Sequence, residues 1–235
     1  MVATGYPDTD KSQVIDVISS TACVNLPSYP FAMYLAVGGV VNGSPIICGG
    51  WRSSGERTDS CHRFDRNANS WKLHSTMKSR RSGHASTVVK NALFITGGYD
   101  GSRDLATTEY IYANGTVQSG PNLPMARSGH CSVTLHDGKV MILGASYPLS
   151  LFRNVIIMDP ADNSFTTGPS MSYERWSAAC TLFNSPLHNG RPVVLAAGGL
   201  RQATAEVYDY TYAHHYLKVE FCQSRFVEYY SMLVY

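Results

Sequence analysis

The sequence predicts an all-β protein built from repeated four-stranded sheets, and three recurring markers carry that prediction. The first is an apolar run that ends in two small residues, as in "SPIICGGW", "LFITGGYDG" and "PVVLAAGGL". The second is an arginine that precedes the next apolar strand, at Arg81, Arg127 and Arg175. The third is a strand, a turn and an aromatic residue, as in "CHRFDRNANSW" and "VIIMDPADNSF". All three return about every 50 residues, which indicates an internal repeat.

Each repeat reads as four strands, which we call a to d. In the second full repeat they are "HASTVVK", "ALFITGG", "TTEYIY" and "TVQSGPN". Tight turns join a to b and c to d, whereas longer loops join b to c and d to the next a. A single twisted sheet cannot bury both of its faces, so such units pack around an axis as a β-propeller. We expect the repeat glycines to let strand b bend where blades crowd and to carry no chemistry; they are Gly49, Gly50, Gly97, Gly98, Gly198 and Gly199.

The composition narrows the class of protein. The chain of 235 residues has a net charge of +2 and 15% charged residues, so its total charge gives no support to a nucleic-acid partner. Its apolar runs are shorter than the 18 or so residues that a membrane span needs. The chain starts without a signal peptide, so as written it is expected to stay in the cytoplasm, and a secreted parent protein stays open.

The combination of an apolar run, Gly-Gly, an aromatic residue, a spaced Trp and then "RSGH" resembles the kelch family over residues 1 to about 210. The resemblance implies a kelch-type β-propeller with four-stranded blades around a central axis, here incomplete. We expect the last half of a truncated blade at 1–28, kelch blades at 29–75, 76–122, 123–168 and 169–220, the last of them decaying, and a non-repeat tail at 221–235.

The distribution of the arginines suggests a binding surface on one side of the propeller. The b–c and d–a loops emerge on the same side of a four-stranded blade. Nine of the thirteen arginines fall in or beside these loops, and all the charges there give this side a net charge of +4. Kelch adaptors hold acidic peptides with arginines on this side, so the resemblance implies a protein or acidic peptide as partner. The candidate partner-binding residues are Arg52, Arg57, Arg103, Arg153, Arg127 and Arg175.

Another interpretation applies to the arginines that recur with the repeat. Arg81, Arg127 and Arg175 could brace the loops from within the blades instead of meeting a partner. Under that interpretation, Arg57 and Arg103 would bind a partner and Arg127 would contribute to stability.

The function that we expect is partner binding without catalysis, and two alternatives stay open. Galactose oxidase and its relatives carry a copper centre of two tyrosines and two histidines on a kelch-type propeller. His214 and His215 beside Tyr216 prompt that alternative, but they lie where the repeat has decayed. His84 and His130 recur at one repeat position and are expected in the core, so we expect no metal and no cofactor. The second alternative is the substrate-binding half of a ubiquitin-ligase adaptor, which needs a BTB region upstream.

Two kinds of covalent modification are expected. Cys48 ends strand b and Cys61 lies in strand c of the same blade, where antiparallel neighbours come within disulfide range. We expect a disulfide between them, with free buried thiols as the alternative, and the partners of the other four cysteines stay open. Sequons occur at Asn42 and Asn114. Because Asn-Gly is also the preferred hairpin turn, they are weak support for glycosylation.

Overall fold

The computed structural model describes residues 2–3, 12–14, 24–145, 153–199, 204–209 and 216–217. These residues form β-strands, turns and a single 3-10 turn at Pro186–His188. Four sheets each contain four antiparallel strands, in the order in which the strands follow one another along the chain. The predicted all-β architecture of four-stranded blades is therefore confirmed.

We number the strands β1 to β21 in chain order and call the four-stranded sheets the first to fourth blades. The first blade contains β5 Val37–Val41, β6 Ser44–Cys48, β8 Ser60–Asp65 and β9 Ser70–Thr76. The second contains β10 Ala85–Val89, β11 Ala92–Thr96, β12 Thr108–Tyr112 and β13 Val117–Ser119. The third contains β14 Cys131–Thr134, β15 Val140–Leu143, β16 Val155–Asp159 and β17 Ser164–Thr167. The fourth contains β18 Ala179–Ser185, β19 Arg191–Ala197, β20 Ala205–Tyr208 and β21 Tyr216–Leu217.

Two smaller sheets precede or accompany the first blade. A three-stranded sheet contains β1 Val2–Ala3, β2 Ser12–Val14 and β3 Val24–Leu26. A two-stranded sheet contains β4 Met33–Tyr34 and β7 Trp51–Arg52. The limits of the blades given from the sequence stay predictions.

The core lies between neighbouring blades, because strand b of each blade buries both of its faces. In β11 of the second blade, Leu93 and Ile95 share a buried cluster with Ile46 of the first blade. Phe94 lies between them in sequence and shares a different cluster with Ile142 of the third blade. Successive side chains of a strand point to opposite faces of the sheet, so a strand buried on both faces reads as a continuous apolar run. Full burial of each such side chain contributes about 1.5–3 kcal/mol.

The first strands of adjacent blades contact one another and carry hydrogen bonds between blades. The Ser86 hydroxyl donates to the Gly38 carbonyl of the first blade at 3.0 Å. Thr87 and Thr134 join the second blade to the third through their hydroxyl groups, which lie 2.8 Å apart. Blade stacking therefore rests on specific polar contacts as well as on apolar burial.

The glycine pair at the end of strand b lets the next blade approach. Gly98 has a φ of +101°, and its N–H donates at 2.8 Å to the carbonyl of Arg127, in the d–a loop that leads to the next blade. Gly97 has a φ of +57°, and a Cβ built on it would collide with the same Arg127 carbonyl and lie 2.8 Å from Cε1 of His130. Glycine is required here both for the backbone conformation and for the room that it leaves.

His84 and His130 belong to the core, as their recurrence predicts. Both are buried, and Nε2 of His130 lies 2.8 Å from the Thr96 hydroxyl. Burial, aided by the charge of Arg81, lowers the pKa of His84 to about 3. Burial and the charge of Arg127 likewise hold the pKa of His130 well below its usual value. Both imidazoles are therefore neutral near pH 7, as packing residues of a blade interface should be.

A buried arginine ties the loop that enters the second blade to that blade. Nη1 of Arg81 donates to the carbonyls of Gly97 and Thr107, at 2.6 and 3.0 Å. Its Nη2 lies 2.5 Å from Oε1 of Glu109, and both side chains are almost completely buried. Glu109 also accepts the backbone N–H of Lys78 at 2.7 Å. The loop is thus held by a buried ion pair whose remaining polar atoms are mostly hydrogen-bonded.

The same brace recurs in the fourth blade and is altered in the third. Nε of Arg175 lies 3.1 Å from Oε1 of Glu206, again with both groups buried. In the third blade Arg127 donates to Oδ1 of Asn154 at 3.0 Å, and Ile156 occupies the position of the glutamate. None of the ion pairs among the described residues involves Arg127, and burial lowers its pKa to about 10. This brace therefore works without a buried carboxylate.

We expect Gly97→Ala to destabilise the protein more than Gly138→Ala. Both glycines have positive φ, +57° and +83°, and such a backbone costs a non-glycine residue roughly 1–3 kcal/mol. No atom lies within 4 Å of a Cβ on Gly138, whereas one on Gly97 also meets Arg127 and His130, which adds about 1–3 kcal/mol. The free energy of unfolding in denaturant measures both losses. Equal losses would show that the glycine pair does not govern the approach of the blades.

We expect Arg81→Met to cost more stability than Arg127→Met. Removing Arg81 leaves Glu109 buried without its counter-charge, and breaking such a pair costs about 3–5 kcal/mol. Removing Arg127 leaves no carboxylate behind. Adding Glu109→Gln should recover stability in the Arg81→Met protein, as denaturant unfolding can measure. If the two single variants lose the same stability, or Glu109→Gln recovers none, the glutamate is not what distinguishes the two braces.

Candidate partner-binding face

The b–c and d–a loops lie together on one side of the sheets, which we call the loop face. Its described residues are 27–36, 49–59, 77–84, 97–107, 120–130, 144–145, 153–154, 168–178, 198–199 and 204. Near the first blade, β4 pairs with β7 and sets Tyr34 opposite Trp51. In the second blade, Ser82 forms a backbone bridge to Tyr99. Each pairing joins a d–a loop to a b–c loop of the blade that it enters.

A chain of backbone hydrogen bonds runs across the loop face from one d–a loop to the next. The N–H of Gly83 donates to the carbonyl of Leu35 at 3.0 Å, and the N–H of Gly129 to that of Gly83 at 2.7 Å. Ser177 continues the chain by donating to the Gly129 carbonyl at 2.7 Å. Leu35 and Ser177 both have a φ of +56°, which side-chain-bearing residues keep only where surrounding contacts fix the backbone. The loops therefore share a continuous, ordered floor.

Two of the six arginines expected to bind a partner are inaccessible. Arg127 and Arg175 are each 1% exposed, and their guanidinium groups already donate to their own blades. The prediction that these two residues contact a partner is therefore wrong. Their recurrence in the repeat was the better guide, because it predicts a bracing role in every blade.

Three more of the expected arginines lie on the loop face with protein partners of their own. The guanidinium of Arg52 lies 4.0 Å above the ring of Phe31 and also donates to a threonine hydroxyl. Nε of Arg153 donates to a backbone carbonyl at 2.6 Å. Arg103 is 80% exposed and lies 3.7 Å from Oδ2 of Asp100. Two backbone N–H groups lower the pKa of Asp100 to about 2, so this carboxylate is ionised beside Arg103.

Arg57 is held by two aromatic rings, and none of the described carboxylates pairs with it. Its Cζ lies 4.0 Å from the centroid of the Trp51 ring and 5.1 Å from that of Tyr99. Tyr34 extends the stack, with its ring centroid 4.9 Å from that of Trp51. Nε of Arg57 is buried without a hydrogen bond, and none of the ion pairs among the described residues involves Arg57. Stacking holds the planar group while leaving its other N–H donors for a ligand.

The accessible charges of the loop face nearly balance. The described cations outside the core are Arg52, Arg57, Lys78, Arg80, Arg103 and Arg153, and the described carboxylates are Glu56, Asp59, Asp100, Asp104 and Glu174. Six cations minus five carboxylates leave +1 in place of the expected +4, because three arginines are buried. Arg201 and Lys11, with Asp8 and Asp10, fall outside the described residues. Selection of an acidic partner would therefore depend on individual groups and not on a strongly positive surface.

Among the described residues of the loop face, three large apolar side chains are exposed. Leu35 is 38%, Met125 45% and Trp176 40% exposed, and all three lie in d–a loops. Leu35 follows Tyr34, the end of the aromatic stack around Arg57. Exposed Trp, Tyr, Met and Arg side chains are the types enriched in protein–protein interfaces.

The two sequons lie on the opposite side. Asn42, in the a–b turn of the first blade, is exposed and has a φ of +48°. Asn114, in the c–d turn of the second blade, is also exposed and accepts the backbone N–H of Thr116 at 3.0 Å. Glycosylation of either residue stays a prediction.

Four of the six cysteines form two pairs at disulfide distance. Cys48 and Cys61 face each other across β6 and β8, with Cα atoms 4.1 Å apart, and both are fully buried. Cys131 and Cys180, whose partners the sequence left open, join the third blade to the fourth with Cα atoms 6.0 Å apart. The other two cysteines, at positions 23 and 222, fall outside the described residues.

The described residues contain no group of three or more His, Cys, Asp or Glu side chains that could hold a metal ion. His214 and His215, which prompted the copper alternative, lie outside this part of the chain. Among the described residues, no helix is long and apolar enough to cross a membrane.

The sequence did not predict the aromatic stack around Arg57. Trp51 and Tyr99 each follow a glycine pair, so an aromatic residue at one position of adjacent repeats was the available signal. Arg57 itself gives no signal, because its place in the b–c loop does not recur in the other blades.

Comparisons with known proteins agree with this architecture. Residues 80–112 match the Kelch motif. Over 82 residues, 34% of this chain, the sequence is 32% identical to the Spermatocyte protein spe-26 of Caenorhabditis elegans, of which the match covers 14%. The solved structure of YjhT is similar with a TM-score of 0.75 and 14% identity, over 94% of this chain and 84% of that one. The Kelch motif, the internal repeat and the four-stranded blades together support a kelch-type β-propeller fold for this chain.

Proposed function

We propose that the chain binds a protein or peptide partner through the loop face, with a carboxylate of the partner seated on Arg57. Kelch repeats on a propeller support a protein-interaction module in general. The observation that carries the finer proposal is the guanidinium of Arg57, stacked between Trp51 and Tyr99 and unpaired with any described carboxylate. Binding, and not catalysis, is the role that these groups favour.

The geometry of Arg57 suits a carboxylate for two reasons. The planar guanidinium offers parallel N–H donors that match both oxygens of a carboxylate, and such charge-assisted bonds are stronger than neutral ones. The aromatic stack has already fixed the side chain, so little conformational entropy is lost on binding. An exposed ion pair is worth roughly 0–1 kcal/mol, whereas an interface arginine in a desolvated pocket costs about 2 kcal/mol or more when truncated. Arg57 is half-buried and lies nearer to the second case.

The apolar residues of the loop face suggest what flanks that carboxylate in the partner. Leu35 is joined to the stack through Tyr34, and Trp176 precedes Ser177, the last link of the hydrogen-bonded floor. Both side chains expose apolar surface that a partner would bury at about 25 cal/mol per Å². The partner that fits is a segment with an acidic residue beside apolar residues.

The two alternatives from the sequence gain no support from the described residues. A copper-radical oxidase needs histidine and tyrosine ligands, and the described residues bring no metal-binding group together. A ubiquitin-ligase adaptor would use the same kind of loop-face binding, so the proposed contact with Arg57 applies to it unchanged.

We expect Arg57→Ala to lower the affinity of the chain for an acidic peptide roughly 30-fold or more, the equivalent of about 2 kcal/mol of binding free energy. The probe is an array of synthetic peptides, each with one glutamate among apolar residues and each paired with its glutamine counterpart. A peptide that binds the unmodified chain should lose affinity on Glu→Gln and on Arg57→Ala, without a further loss when both changes are combined. Thermal melts should show that the variant stays folded.

Arg66→Ala is the matched control for that experiment. Arg66 is an exposed arginine on the opposite side, where it donates to the Gly43 carbonyl at 2.8 Å. Its removal, like a change at Asn42, should leave peptide affinity unaltered. If Arg66→Ala weakens binding as much as Arg57→Ala, the partner does not place its carboxylate on Arg57. The same conclusion follows if the losses in affinity caused by Glu→Gln in the peptide and by Arg57→Ala in the protein simply add.

A further inference from the structure

We propose that the Cys131–Cys180 pair is a thiol–disulfide exchange site for small thiols such as glutathione, and that exchange there releases the covalent link between the third and fourth blades. The inference rests on the position and exposure of the two pairs of cysteines. It does not depend on the proposed function of the loop face.

The pair links two blades at their innermost strands. Cys131 is the first residue of β14, and Cys180 is the second residue of β18. These strands are the first strands of the third and fourth blades, and they pack against each other. The bond closes a segment of 49 residues that spans a whole repeat. It is therefore a link between repeats, unlike the Cys48–Cys61 pair, which lies within one sheet.

Cys180 occupies the repeat position at which the second blade forms a hydrogen bond to the first blade. Counted from the residues of the hydrogen-bonded floor, Gly83 and Ser177, both Ser86 and Cys180 lie three positions further on. The Ser86 hydroxyl reaches back to the Gly38 carbonyl of the preceding blade at 3.0 Å. Cys180 reaches back in the same way, to Cys131 of its preceding blade. The side chain at this position joins adjacent blades in both cases, but only the cysteine pair responds to thiols.

Exposure separates the two pairs of cysteines. Cys48 and Cys61 are both 0% exposed within the core between the first and second blades. Cys131 and Cys180 are partly exposed at the edge of their cluster. Thiol–disulfide exchange requires a thiolate to reach a sulfur atom, so access governs its rate. A small thiol can reach Cys131 and Cys180 in the folded protein, whereas Cys48 and Cys61 require unfolding.

The exchange proceeds in two balanced steps. A glutathione thiolate attacks one sulfur of the pair, the bond between Cys131 and Cys180 breaks, and the other cysteine leaves as a thiolate. A second glutathione thiolate attacks the glutathione sulfur of the mixed disulfide, the bond to the protein breaks, the remaining cysteine leaves as a thiolate, and glutathione disulfide forms. Two glutathione molecules are thereby oxidised with loss of two electrons, and the cysteine pair is reduced by two electrons and takes up two protons. Glutathione disulfide reverses both steps.

Reduction of the Cys131–Cys180 pair leaves fewer bonds between the third and fourth blades near the loop face. The remaining ones include the hydrogen bond from the Ser177 N–H to the Gly129 carbonyl, at 2.7 Å. Arg175 does not replace the lost link, because its side chain donates to Gly198 and Thr204 within the fourth blade. The segment from Ser177 through β18 should therefore open more often once the pair is reduced.

The test uses the full chain with Cys23→Ser and Cys222→Ser, refolded in a mixture of reduced and oxidised glutathione. The folded, oxidised protein is treated with reduced glutathione, alkylated and mapped by peptide mass spectrometry. Cys131 and Cys180 should be labelled or glutathionylated at least about tenfold faster than Cys48 and Cys61. Equal rates, faster labelling of Cys48 and Cys61, or free thiols at Cys131 and Cys180 before reduction would each overturn the proposal.

A matched variant separates exchange from general loosening of the fold. The variant carries Cys131→Ala and Cys180→Ser. Each substitution introduces the residue that the second blade has at the equivalent position, Ala85 and Ser86 respectively, so the fold should tolerate it. Hydrogen exchange of β14 and β18 should rise on glutathione treatment of the parent and reach the level of this variant. The variant itself should not respond to glutathione. A response by the variant, or no change in the parent, would contradict a link at this site.

Discussion

The contact between the glycine pair of one blade and the d–a loop of the next is the interaction on which the rest of the structure depends. The N–H groups of Gly50 and Gly98 donate to the carbonyls of Arg81 and Arg127, at 2.8 Å in both cases. The loop can come this close only because the glycines lack a Cβ. Once the carbonyl is docked, the arginine side chain turns into its own blade and the following histidine packs over the glycines. A single contact thus fixes the spacing of the blades, the path of the loop and the floor of the loop face.

The blades differ in the buried polar groups that brace the d–a loop near this contact. Where a group is lost from one side of the brace, a matching group is lost or replaced on the other. Glu109 accepts backbone N–H groups of Lys78 and Ser79 as well as Arg81. The third blade has Ile156 in place of that glutamate, and its loop has Pro124, which lacks an N–H, at the position of Lys78. One of the backbone donors and the acceptor have therefore disappeared together. In the first blade, a buried contact of 2.9 Å between Tyr29 and His62 takes the place of an ion pair, and burial raises the pKa of Tyr29 and lowers that of His62.

Features that recur along the chain could be predicted from the sequence, and features made between blades could not. The strand order and the apolar strand b follow from hydrophobic runs and turn residues, so they were confirmed. The pairing of Cys48 with Cys61 follows from strands b and c of one sheet. The stack of Arg57 with Tyr99 joins two blades at a position that does not recur, and the link from Cys131 to Cys180 depends on how adjacent strands a lie side by side. The recurrence of this arginine in each repeat was the only sequence signal for the burial of Arg127. The count of charges in the loops instead led to its being predicted as a partner-binding residue.

The most direct measurement of the central claim is amide hydrogen exchange, resolved by NMR, at Gly50 and Gly98. If docking of the d–a loops holds the blades together, these two amides open only when the propeller unfolds. They should then exchange as slowly as the amides of the buried strand β11, with protection that matches the global free energy of unfolding. Exchange at the rate of the exposed turns, with β11 still protected, would show that the loops dock only loosely and that strand packing alone holds the blades.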